Sequence, residues 1–165
     1  MQGDVVCNAS PLIFLAKIKK LYLLDSYSLH IPAQVETEIL KGLKKKREDA
    51  KLIIAYLSQK NVKPVRAALL KDLPNFLGIG EKAVISLAVK EKIEKVLIDE
   101  AKARTVARFK GLKPKGTLGI LWDAYKSGRI NKEHLEESTL ELIEKGYRIK
   151  EELLIEFLKK IKAMN

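Results

Sequence analysis

Two short apolar runs constrain this chain more than anything else in it: Val5-Val6-Cys7, which stops at Asn8, and Lys95-Val96-Leu97-Ile98, which stops at Asp99. Each reads as a strand buried on both faces, and each is followed at once by a helical pattern. Strands that alternate with helices in this way predict a parallel sheet with helices on both faces, an α/β doubly wound architecture. In such a sheet the carboxyl ends of all strands share one edge, so Asn8 and Asp99 are expected to meet there, where open α/β sheets build their sites.

The rest of the chain fits that frame. Ser10 and Pro11 open a helix over residues 10–20, followed by a short apolar turn or helix at Leu21 to Asp25. A second strand, Ser28 to Ile31, stops at Pro32, and a helix runs from Ala33 to Leu40 with Val35, Ile39 and Leu40 facing inward. The basic run Lys41 to Arg47 is expected to bend at Gly42 before a helix over Glu48 to Ser58. Asn61 to Val65 reads as a third strand, Leu69 to Phe76 as an irregular connection, and Gly78-Ile79-Gly80-Glu81 as the entry to another helix. After the Lys95 to Asp99 strand come a helix at Glu100 to Lys110, a brief fifth strand at Lys113 to Gly116 and a helix from Thr117 through Lys126. Two amphipathic helices, Lys132 to Lys145 and Lys150 to Lys162, follow around a turn at Gly146. The expectation is therefore about five mostly parallel strands in one domain spanning 1–165, with helices 131–163 packed on it.

Composition narrows the function classes. The chain has 165 residues, a length that can bury a core without staples, and Cys7 is its one cysteine, so no disulfide is expected and a reducing cytoplasm is. No basic segment precedes the first apolar residues and no apolar stretch approaches the roughly 20 residues that span a bilayer, so neither an export leader nor a membrane anchor is expected. Lys and Arg number 32 against 21 Asp and Glu, a formal charge of +11 that favours a polyanionic partner, nucleic acid above all. The same richness in Lys, Glu, Ile and Leu is also found in thermophile proteins, which spend charge on surface ion-pair networks. At 6% aromatic residues, base stacking is expected to add little.

Beside Asn8 and Asp99, Glu81 stands in the first turn of its helix, Glu38 lies late in the helix after the second strand, and Glu100 follows Asp99. Oxygen donors gathered without His or Cys suit a hard ion, Mg²⁺ or Mn²⁺, rather than zinc. Each acid also has an ordinary use: Glu38 as a solvated helix charge, Glu81 as a helix-start charge, Asp99 as an N-cap with Glu100 in the first turn. Arg104 and Arg108 share a helix face just beyond Asp99, and Lys115, with the amides before Thr117, is placed to meet phosphates; solvent exposure and helix capping are their ordinary roles.

The order VVCNASPLI, IPAQVETEI, GIGEKAVISLA, VLIDEAKARTVA and GLKPKGTLGIL resembles PIN-domain proteins, particularly a prokaryotic branch related to the toxin nucleases of VapBC-type toxin–antitoxin pairs. The similarity covers about Val5 to Ile130. It implies a quartet of acids that binds divalent metal and activates water to cut RNA, single-stranded RNA and an antitoxin protein as partners, and a homodimer. Matched by position, the second, third and fourth acids fall on Glu38, Glu81 and Asp99; Glu100 matches an extra acid beside the fourth, and Ser10 a hydroxyl near the first. The implied catalytic residues are Glu38, Glu81 and Asp99, and the metal ligands these with Asn8 and Glu100; the expected RNA contacts are Ser10 from the resemblance and Arg104, Arg108, Lys115 and Thr117 from the placement described above.

The departure is at the first acid, where the pattern has Asp and this chain has Asn8. An amide keeps a carbonyl oxygen for a metal but brings no charge. Asp4 lies about 13 Å back along the strand and cannot substitute. The amide fits a natural loss of catalysis with binding kept, a deliberate silencing substitution, or a site that tolerates it. A weakened ribonuclease and a catalytically inactive RNA- or protein-binding module are the two functional readings.

Overall fold

The computed structural model describes residues 2–164. Its centre is a four-stranded sheet in the order β2-β1-β3-β4, every neighbour parallel, with β1 at Gly3–Cys7, β2 at Tyr27–His30, β3 at Lys95–Leu97 and β4 at Lys113–Lys115. Val5, Val6, Cys7, Val96, Leu97 and Ile98 are all sealed from solvent, which is why the two central strands read as unbroken apolar runs. The edge strand β4 carries Pro114, which an edge tolerates because one side of it needs no ladder donor.

The helices that flank the sheet are α1 (Ala9–Lys17), α2 (Ala33–Lys44), α3 (Glu48–Gln59), α4 (Ile79–Glu91), α5 (Ala101–Phe109), α6 (Thr117–Lys126), α7 (Lys132–Glu144) and α8 (Glu151–Ala163), with a 3₁₀ turn at Leu21–Ser26. Chain order takes β1 to β2 on one side and then returns to β3 on the other, so the reversal point lies between β1 and β3. The Asn8 amide donates to the Leu97 carbonyl at 3.0 Å and the Ile98 amide to that of Lys115 at 2.9 Å, which carries the pairing right up to the residues of interest. Leu135 and Leu142 of α7 and Ile161 of α8 are buried in the same core as the sheet. Phe157 of α8 meets Trp122 of α6 edge-on, ring centres 6.0 Å apart.

Three expectations are corrected. Leu40 does not face inward with Val35 and Ile39 but is exposed, because it lies a step around α2 from the buried stripe. Asn61 to Val65 is not a sheet strand: it makes a single parallel bridge between Val65 and Pro32, so the sheet has four strands rather than five. Asn61 is in the left-handed region with φ of 55° and Pro64 has no amide to donate, and both work against an extended ladder. Gly42 does not bend the chain either. It lies inside α2, buried, where an added Cβ would sit 3.3 Å from the Ala50 Cβ, so glycine lets α2 and α3 approach closely; the turn comes at Lys46, φ 58°.

Candidate active-site cleft

The carboxyl ends of β1 and β3 open into a cleft of about 750 Å³, and Asn8, Ser10, Glu38, Glu81, Asp99 and Glu100 all line it. They arrive from four directions. Asn8 follows β1 and starts α1, Glu38 projects from α2, Glu81 from the first turn of α4, and Asp99 and Glu100 link β3 to α5. Asp4 points elsewhere and is held by His30 at 3.0 Å.

Asn8 is the floor of the cleft. It is 7% exposed, it does not cap α1 with its side chain, and its Oδ1 has no hydrogen-bond partner. A buried amide oxygen left unpaired costs on the order of 1–3 kcal/mol, so it reads as an acceptor waiting for a donor or a cation. Gly80 brings α4 against it: a Cβ there would stand 3.1 Å from Asn8 Oδ1 and 3.3 Å from Glu38 Oε2, so these two oxygens flank one point.

Glu81 accepts from the Gly78 amide at 2.9 Å, which closes the first turn of α4. Burial pushes its carboxyl above the ordinary carboxylate range, and the charges of Glu100 and Glu38 push it further, opposed by the Gly78 amide. Three carboxylates thus share one field at the mouth of the cleft. Glu38 and Glu100 are exposed.

Asp99 is used differently. Its Oδ1 accepts from the Thr117 amide at 2.7 Å and the Tyr147 hydroxyl at 2.8 Å, and its Oδ2 from the Ser10 and Thr117 hydroxyls at 2.7 Å each. A carboxylate offers about four acceptor positions, and all are taken. Rather than capping its own following helix, Asp99 caps α6 from across the sheet edge. Burial of the Cys7 thiol, and after it the Asp99 charge, pushes that thiol up, so Cys7 is an inert strand residue.

Of the expected RNA contacts, Ser10 spends its hydroxyl on Asp99 and Thr117 is fully buried. Lys115 is paired with Asp123, and Arg104 donates to the main-chain carbonyl of Asp99. Arg108 is exposed. The residue that motif reading missed is Tyr147, in the turn after α7: burial and the Asp99 charge push its phenol up, so it stays a hydrogen-bond donor. Its ring meets Phe14 edge-on with centres 5.1 Å apart. The one signal was Gly146, φ +96°, which turns the chain back toward the sheet edge just before it.

Among the described residues no three His, Cys, Asp or Glu side chains are grouped tightly as a metal site. The oxygens that line the cleft without being wholly spent on the fold are the unpartnered amide oxygens of Asn8 and Gln34 and the carboxylates of Glu38, Glu81 and Glu100, an oxygen-only set of the kind a hard divalent ion takes. Among the described residues no helix is long and apolar enough to cross a membrane.

A family model described as a PIN domain matches residues 4–163. No match was found among curated proteins or among solved structures.

Proposed function

Because this chain belongs to the PIN-domain family, a nuclease-type fold whose members generally bind RNA and use divalent metal ions, we propose that it is a metal-dependent endoribonuclease weakened by the amide at position 8. The observation that carries the reading is the unpartnered, buried Asn8 Oδ1 facing a cleft walled by Glu38, Glu81 and Glu100. Those four would hold Mg²⁺ or Mn²⁺. Such an ion, when bound, polarises a scissile phosphate and lowers the pKa of an attacking water. Glu38 and Glu100, exposed at the rim, would orient that water, and one of the two would take its proton. Glu81 is fixed by the α4 amide it caps. Asp99, with its acceptor positions filled, is a positioning residue that holds α1, β3, α6 and the α7–α8 turn in register around the cleft.

In the same proposal residues 1–165 act as one unit in the cytoplasm on single-stranded RNA, as a homodimeric VapC-like toxin restrained by an antitoxin protein; the motif order from Val5 to Ile130 supports this finer reading. The second reading, an inactive module that binds RNA or protein, is favoured by the neutral amide at position 8. Incubating the chain and its Asn8→Asp variant with labelled single-stranded RNA, with Mn²⁺ and with chelator, separates the two. Metal-dependent cleavage that rises in the variant supports the nuclease. RNA bound but uncut by both chains supports the module.

A further inference from the structure

A second cleft, about 740 Å³, lies beside the first, and the two share Asp99, Glu100, Tyr147 and Arg148 as a common wall. Its character is opposite: Arg104, Arg108, Lys115, Arg148 and Lys150 line it, and among the described residues its only acids are the two on the shared wall. Arg104 and Lys115 are engaged within the protein, as described above. Arg108, Arg148 and Lys150 are exposed and enter no ion pair among the described residues. Two of these three come from the turn between α7 and α8, the segment that also supplies Tyr147. Tyr147 is pinned by Asp99 on one side and Phe14 on the other, so it is a fixed partition between the clefts.

We propose that Arg148 and Lys150, with Arg108, seat the phosphodiester backbone of a single-stranded RNA in this second cleft, so that the strand crosses Tyr147 and delivers its next phosphate to the acidic cleft. The proposal rests on the RNA reading above and names the residues that set the register of the strand. Three free cations beside an acidic centre solve a physical problem: carboxylates repel phosphate, and anchoring the neighbouring phosphates offsets that repulsion. Arg148, on the shared wall, has the planar fork that grips phosphate oxygens in pairs. A single strand suits the site because Asn8 lies buried at the cleft floor, and phosphates not fixed in a duplex are free to bend down toward it.

The test is binding of a labelled oligoribonucleotide in chelator, where no cleavage intervenes, over a series of salt concentrations. Arg148→Ala with Lys150→Ala is expected to lower affinity about tenfold at low salt and to flatten the log–log salt dependence by about 1.4, the release expected for two phosphates on a single strand. Lys44→Ala with Lys45→Ala, at the far end of the most basic run of the sequence and lining neither cleft, is expected to change affinity less than about twofold, and Arg148→Lys, which keeps the charge but loses the paired grip, to fall between the unaltered chain and the double variant. Equal losses for both double variants, no loss for the first, or a duplex bound as tightly as the single strand overturn the proposal. Groove-dependent binding without any metal-dependent cleavage keeps it and overturns the nuclease instead; no RNA binding by the unaltered chain in low salt overturns both.

Discussion

Tyr147 donates its hydroxyl to Asp99 Oδ1 at 2.8 Å across 48 residues of sequence, and so the last third of the chain is fastened to the end of a central strand. Asp99 binds Ser10 and Thr117 at the same time, which makes it the knot where α1, β3, α6 and the α7–α8 turn meet. Hydrogen bonds to a charged acceptor are each worth about 1.5–3 kcal/mol, though neighbours in one network do not add simply.

Asp99→Asn is therefore expected to destabilise the fold by about 2 kcal/mol in urea titration, because the new amide group faces donors, while Tyr147→Phe costs about 1 kcal/mol. Glu100→Gln, an exposed change one residue away, should stay within about 0.5 kcal/mol. Equal stability losses at 99 and 100 would contradict the division of labour between a fastening acid and a cleft-facing one.

Gly80 gives a second, cleaner probe of the cleft. Alanine is the better helix former by about 1 kcal/mol, but its Cβ would fall 3.1 Å from Asn8 Oδ1 and 3.3 Å from Glu38 Oε2. Glu38 is exposed and can swing away; Asn8 is buried and cannot. Gly80→Ala is expected to fold with a stability change of no more than about 1 kcal/mol and to lose at least about tenfold in Mn²⁺ affinity by calorimetry, the loss a displaced oxygen ligand implies. Unchanged metal affinity would mean that the point between these two oxygens is not where an ion sits.

How far the sequence carried depended on whether a feature was local. Apolar runs such as Val5-Val6-Cys7 announce a strand buried on both faces, and parallel topology then brings Asn8 and Asp99 to one edge. The family resemblance brings in Glu38 and Glu81, and both line the cleft. Features that depend on a distant partner were not legible. Gly42 looks like a bend until Ala50 is found against it, and Thr117 looks like a cap residue until Asp99 is seen to do the capping. Tyr147 carries no motif at all; its role comes from a turn at Gly146 and a carboxylate elsewhere in the chain.

Glu81 gives the pH dependence a definite sign. Its folded-state carboxyl is raised above the ordinary value of 4.5, so the folded chain binds that proton more tightly than the unfolded chain does. The ionised group then costs stability at neutral pH, and the cost disappears as pH falls through the raised value toward the ordinary one. Glu81→Gln keeps an oxygen for the Gly78 amide and removes the charge. In chelator it should melt higher than the unaltered chain near neutral pH, with the gap closing below 4.5. A variant that melts lower at neutral pH would show that capping by the full charge outweighs burial.

Asn8→Asp tests the position on which the chemistry turns. Two unit charges 4 Å apart interact by roughly 4 kcal/mol at an effective dielectric of 20, and a divalent ion doubles that. Stripping water from the new carboxylate takes back much of the gain, so a net increase of about tenfold or more in Mn²⁺ affinity is expected. Without metal the sign reverses, because a further carboxylate is placed on the cleft floor, near Glu38 across Gly80, with no donor to meet it. In chelator the variant should therefore melt below the unaltered chain, and at saturating Mn²⁺ each tenfold gain in affinity returns about 1.4 kcal/mol of stability through linkage. Crossing melting curves are the signature. Parallel curves, the variant lower by the same amount with and without Mn²⁺, would place the ion away from residue 8 and leave the amide a structural residue at the end of a strand.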